Sequence, residues 1–282
     1  MPKKKKKLRN RSKKKILELK PFLDEMIEKV EVPDYIDEDP VQFMHAFDLK
    51  QDQEIAGFYA GIMAWGRRDI VVAKVNDLLR RMDYRPYDFV RSFDESDAEV
   101  FKGFKHRTFK PVDMYWFTRT LQVIINQWET FEDFWSSCYQ QALEEDRDVV
   151  AVFNDRFFSF FPQIPQRCHK HIANPERNSS TKRLYMYLRW CIRKDSPVDP
   201  GIMNFMSPAE LKIPLDVHVA RQARRLGLLS RRQNDWKAVL ELNDKMKLLD
   251  PDDPAKYDYA LFGIGVLNEE LPEAWIYNKN VD

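Results

Sequence analysis

The sequence predicts an all-α fold, two helical lobes with a central cleft for the polar motifs. Three observations lead there. Apolar residues recur at helical spacing through most of the 282 residues. Nowhere does period-two alternation flank a glycine-containing turn, the pattern of a β-hairpin. Glycine is also scarce, with 8 in the chain, which argues against α/β folds rich in tight turns.

The elements follow in order. Residues 1–15 hold ten Lys/Arg and no acid and read as a disordered basic arm. From Lys15 to Val32, residues Ile16, Leu19, Phe22, Leu23, Met26, Ile27 and Val30 mark a helix that Pro33 ends. The stretch Glu54–Trp65 is nearly apolar all round, as a buried helix would be. The turn Gly66-Arg67-Arg68-Asp69 leads into an amphipathic helix over Ile70–Met82. Further helical patterns cover about 84–95, 112–128 and 131–148, before Pro162 and Pro165 break the chain. A helix over about Thr181–Arg193 and a Pro/Asp/Asn-rich loop over 195–215 come next, followed by helices at about 217–227, 234–247 and 254–267. Residues 16–282 are expected to fold as one region of two lobes.

Composition bounds the class. With 44% hydrophobic and 13% aromatic residues, the chain is globular. No apolar run approaches the roughly 18–20 residues that cross a bilayer, and the N-terminus lacks the apolar core of a signal peptide. Cys138, Cys168 and Cys191 are scattered and offer no disulfide framework. A cytoplasmic protein with no membrane association and no cofactor is expected. The net charge of +1 hides segregation, since residues 167–237 carry fifteen Lys/Arg against six Asp/Glu. Such a basic band reads either as a phosphate-facing surface or as solvated helix faces. The Lys-rich arm would add salt-sensitive, sequence-independent affinity for nucleic acid.

The segment IPLDVHVARQARRLGLL, residues 213–229, is the most informative. Asp216 stands just before the periodic run Val217, Val219, Ala220, Ala223, Leu226, where its carboxylate accepts the first N–H groups of a helix. Gly227 is a natural helix end. Taken alone, Asp216 is a helix cap.

The string PLDVHVARQARRLGL resembles the signature of the helix-hairpin-helix DNA glycosylase superfamily, which includes endonuclease III and the archaeal 8-oxoguanine glycosylases. In that superfamily the aspartate caps a helix and serves glycosidic cleavage, which implies a catalytic role for Asp216. Val217 stands where threonine is usual. Bifunctional members place a lysine at the start of the hairpin's second helix, and SSTKRLYMYLRWCIR, residues 179–193, fits that slot with Lys182. The hairpin slot itself reads Asn178-Ser179-Ser180-Thr181, without the superfamily's Gly-x-Gly, and no cysteine follows Asp216 to hold an iron–sulfur cluster. The wider pattern is similar to a family of uncharacterised bacterial proteins related to that superfamily. It takes in AGIMAWGRRD, the SSTKRLYMYLRWCIRKDSPVD and PLDVHV blocks, RRQNDWKAVLEL and DPAKYDYALFGIGV, across most of 20–267.

The resemblance implies a DNA base-excision glycosylase that flips a base, cleaves its glycosidic bond and nicks the strand through a Lys182 Schiff base. The nucleic-acid-binding candidates are Arg67, Arg68, Arg177, Asn178, Ser179, Ser180, Thr181, Arg183 and Arg221. Tyr59 and Trp65 are the candidate base pocket, and His106-Arg107 a further cleft-facing pair. One alternative is a non-catalytic DNA- or RNA-binding protein on the same scaffold. Another is a metal-dependent hydrolase built on Cys168, His169, His171 and His218. Asp258, Tyr259 and Gly263 are expected to pack the final helices.

Overall fold

The computed structural model describes residues 8–266, 271–279 and 281. Thirteen α-helices lie among them. They are α1 (Lys13–Leu17), α2 (Lys20–Val30), α3 (Gln42–His45), α4 (Lys50–Met63), α5 (Arg68–Arg81), α6 (Pro86–Ser92) and α7 (Pro111–Gln127). The others are α8 (Phe131–Glu145), α9 (Val149–Ser159), α10 (Lys182–Ile192), α11 (Val217–Arg225), α12 (Trp236–Leu249) and α13 (Tyr257–Val266). Two isolated bridges, His106 with Phe109 and Ser179 with Asp235, are the only β pairings among the described residues, so the chain is all-α. No described helix is long and apolar enough to cross a membrane.

Local chemistry explains the boundaries. The single helix expected over 15–32 is two, because Pro21 brings no N–H to the ladder and sits in the first turn of α2. Thr130 and Asp133 form a reciprocal box that opens α8. Asp148, Asp216 and Asp235 cap α9, α11 and α12 with their carboxylates.

The chain divides into two compact units. The first takes in the described residues up to Val32, Pro175–Arg189, and those from Ser207 onward. Here α13 packs on α2 and α11. Gly263 permits the close approach, since a Cβ there would overlap Val30. Inside this unit Arg189 and Asp258 form a buried ion pair. Arg189 also donates to the Tyr259 hydroxyl at 2.9 Å and lies 4.0 Å from that ring's centre. Asp258, Tyr259 and Gly263 therefore do serve packing.

Sequence composition puts residues 1–15 in a disordered arm. Residues 1–7 lie outside the described residues, but 8–15 are held within the first unit. Leu8 is buried, and Arg11 donates to the carbonyls of Leu226 and Trp275 at 2.7 and 2.8 Å. A composition rule sees only the charge; it misses that Arg11 satisfies carbonyls left over at a helix end.

The second unit comprises Pro33–Asn174 and Trp190–Met206. Its core is aromatic: Trp135 and Phe153 stack with centres 3.9 Å apart, and Phe58 contacts Phe131, Phe153 and Phe157. Glu54 is buried among these helices and accepts the backbone N–H groups of Phe131 at 3.1 Å and Glu132 at 3.2 Å, at the start of α8. Burial pushes its carboxyl up to about 7, against the opposing effect of those N–H groups and Lys50. The folded state thus holds a proton that the unfolded chain releases between about pH 4.5 and 7. Stability from this group falls as pH rises through that window, by about 3 kcal/mol at full extent. Urea denaturation across the window should show a pH slope of stability more positive in Glu54→Gln, by close to one proton. An unchanged slope would remove Glu54 from the titration.

Candidate functional site

Three helix N-termini of the first unit carry the motifs singled out in the sequence. Ahead of the extended Asp216, Ile213 donates its N–H at 3.3 Å to Oδ1 of Asn243, a buried side chain in α12. With Pro214 and Leu215 buried behind it, Asp216 emerges at the N-cap of α11. Its Oδ1 accepts the N–H groups of both His218 and Val219, at 2.8 and 2.9 Å. Its Oδ2 faces elsewhere and lies 3.7 Å from Nζ of Lys182.

Lys182 is the first residue of α10. Both members of the pair remain partly open to solvent, with side-chain exposures of 28% and 19%. A helix start favours a carboxylate, and Asp216 meets that preference with one oxygen while the other meets the amine. Residues 34 positions apart in the chain are thereby placed side by side within one unit.

The hairpin ahead of Lys182 shows how a glycine-free turn is made. Asn178 and Thr181 take positive φ, at 58° and 48°. Asparagine tolerates that region; threonine, β-branched, does not, and holding it there stores about 1–3 kcal/mol. The Thr181 hydroxyl is also buried without a hydrogen-bond partner among the described residues. Strain and an unsatisfied hydroxyl immediately before Lys182 are features that recur at functional sites. Ahead of the hairpin stands a 3-10 turn, Pro175–Arg177, where the resemblance implies the hairpin's first α-helix.

A second anchor comes from Asp235 at the N-cap of α12, a residue to which the sequence reading gave no role. Asn178 donates its side-chain N–H to Oδ2 of Asp235 at 3.1 Å, and Trp236 donates its backbone N–H to the Asn178 carbonyl at 3.4 Å. The Arg231 guanidinium bonds the same carboxylate and draws it down to about 2. The signal was present: an aspartate just before the periodic run of α12 is N-cap placement. Tyr185 of α10 stacks on Trp236 with centres 5.8 Å apart, so α10 and α12 are joined by rings as well as by the hairpin.

The remaining predicted residues divide. Arg177, Asn178 and Arg221 are exposed, and Ser179, Ser180 and Arg183 half-buried, all in the first unit. Burial pushes the Arg183 guanidinium down to about 10. Arg224, which is not among the candidates, is a support: it donates to the carbonyls of Arg231 and Arg232 at 2.8 and 2.9 Å. Arg67, Arg68, Tyr59 and Trp65 belong to the second unit. Arg67 is exposed beside Asp69 at 2.7 Å, while Arg68 lies over the Tyr35 ring at 5.1 Å. Trp65 is 48% exposed.

Two expectations need correction. Tyr59 is sealed in the core, its hydroxyl 2.7 Å from that of Thr118, so it lines no base pocket; an aromatic on an all-apolar helix is core by default. The metal-hydrolase alternative loses its ligands. Cys168 and His171 are turned to Asp113, whose carboxyl, despite burial, is held down at about 2 by His171, Arg167 and Cys168. His169 stacks on Phe158 with centres 3.8 Å apart. Among the described residues, no group of three or more His, Cys, Asp or Glu could hold a metal ion.

Residues 39–267 match the model of the family described as "Protein of unknown function (DUF2400)", and the chain belongs to that family. No curated protein and no solved structure matches it.

Proposed function

We propose that this DUF2400 member is a nucleic-acid glycosylase of the helix-hairpin-helix type, with strand-nicking lyase chemistry, acting on DNA. One observation carries the reading: the Lys182 amine and the outward oxygen of Asp216 lie 3.7 Å apart and partly open to solvent. Unprotonated Nζ would attack C1′ of the target nucleotide. The C1′–N bond breaks, its electron pair leaves with the base, and sugar ring opening gives a Schiff base between Nζ and C1′. Loss of a C2′ proton then expels the 3′ phosphate. Asp216 would stabilise positive charge at C1′ and assist proton transfer. The basic residues Arg177, Arg183 and Arg221, with Asn178 to Thr181 at the start of α10, would take the phosphates.

Borohydride reduction in the presence of abasic-site DNA tests the reading. A covalent protein–DNA adduct, absent in Lys182→Ala, is the expected result. A second reading is favoured by the two cap bonds of Asp216, which suffice to explain an aspartate there: a non-catalytic DNA- or RNA-binding protein. Retained binding with no adduct and no base release from any lesion would establish it.

A further inference from the structure

Two turns of the second unit build an exposed surface that the Lys182–Asp216 pair does not use. The first follows α4, where Trp65 is left 48% exposed after a helix whose last ten residues are buried. The second runs from His106 to Phe109, closed by the Phe109 N–H donating to the His106 carbonyl at 2.7 Å. Arg107 stands at its tip with φ 52°. The buried His106 ring bonds the Met63 carbonyl at 2.9 Å, which fixes this turn against the end of α4. Arg167 adds a third anchor by donating to the Thr108 carbonyl at 2.9 Å.

These anchors bring the Arg107 guanidinium 5.7 Å from the Trp65 ring centre, with Nε donating to the Trp65 carbonyl at 3.3 Å. Gly66 leaves the room: its φ of 111° suits glycine, and a Cβ would overlap the guanidinium. Lys105 and Lys110 are exposed on the same segment as Arg107. Three acids of the flanking segments are engaged, Asp69 on Arg67, Glu99 on Lys102 and Asp113 buried against Arg167.

An open indole beside the Arg107 guanidinium, with two exposed lysines on the arginine's own segment, matches the chemistry of a base flanked by phosphates. We infer that Trp65, Arg107, Lys105 and Lys110 form a stacking platform for single-stranded nucleic acid. An unpaired base lies on the indole, and the cations take the adjoining phosphates. This surface is independent of chemistry at Lys182.

The test is fluorescence anisotropy of the full chain with an undamaged, fluorescein-labelled single-stranded oligonucleotide. Trp65→Ala should weaken binding by about 5- to 100-fold, and Trp65→Phe should retain most of it. Arg107→Ala and Gly66→Ala should weaken it as well, and Lys105→Ala should lower the salt slope by about 0.7. Against a strand of tetrahydrofuran abasic phosphates, which carry no C1′ aldehyde for Lys182 to attack, Trp65→Ala should bind as the parent does. Unchanged binding in both Trp65→Ala and Arg107→Ala would overturn the inference. So would an equal loss on the abasic strand, or polyglutamate binding with the same dependence on Trp65. Circular dichroism of each variant checks the fold, and Arg107→Ala, at an exposed tip, carries the test if Trp65→Ala misfolds. Borohydride trapping is read separately, so its failure leaves this result standing.

Discussion

Asp216→Asn is expected to lower base release and borohydride trapping by about 10²- to 10⁴-fold while leaving the fold as stable as the parent. The two carboxylate oxygens have separate tasks. Oδ1 accepts two backbone N–H groups, and asparagine caps a helix about as well as aspartate. Oδ2 faces the Lys182 amine, and there the amide brings neither charge nor basicity. Asp216→Ala should lose the same activity and, in addition, about 1 kcal/mol of stability in urea denaturation, because two N–H groups lose their acceptor. Lys182→Ala should bring trapping to background. If Asp216→Asn and Asp216→Ala differ in stability but neither changes activity, the aspartate is a cap and nothing more.

Arg189→Met should cost about 3–5 kcal/mol of stability. The Arg189–Asp258 pair is nearly removed from solvent, at 4% and 12% side-chain exposure. Removing the cation leaves Asp258 desolvated and deprives the Tyr259 ring and hydroxyl of their partner. The cost is mainly that of an uncompensated charge, so Arg189→Met combined with Asp258→Asn should recover a substantial part of it. Urea denaturation of the two singles and the double measures the coupling. A loss below about 1 kcal/mol in Arg189→Met would show that the carboxylate finds solvent or another partner.

Much of this protein is legible in order along the chain. The all-α class follows from helical spacing, and Asp216 as an N-cap from a single aspartate before a periodic run. Apolar spacing alone runs the first expected helix through Leu19, although Pro21 marks the break there. Composition assigns residues 8–15 to a disordered arm because it weighs charge alone; Arg11 reaches carbonyls at Leu226 and Trp275, more than two hundred positions away. Tyr59 and Trp65 together are expected from the sequence to form a base pocket, yet the Tyr59 side chain faces Thr118 in the core.

By itself, the sequence determined what depends on neighbours within a few residues: helix periods, caps, proline breaks and the basic band. Those are short-range, since a capping carboxylate meets N–H groups two and three residues on. The tertiary structure alone decided that Lys182 and Asp216 stand 3.7 Å apart. It also decided that Asn178 is tied to Asp235 and that Trp65 stays open while Tyr59 is sealed. Such pairings join segments tens of residues apart, and only the packing of helices around a shared core selects among the many that local patterns would allow.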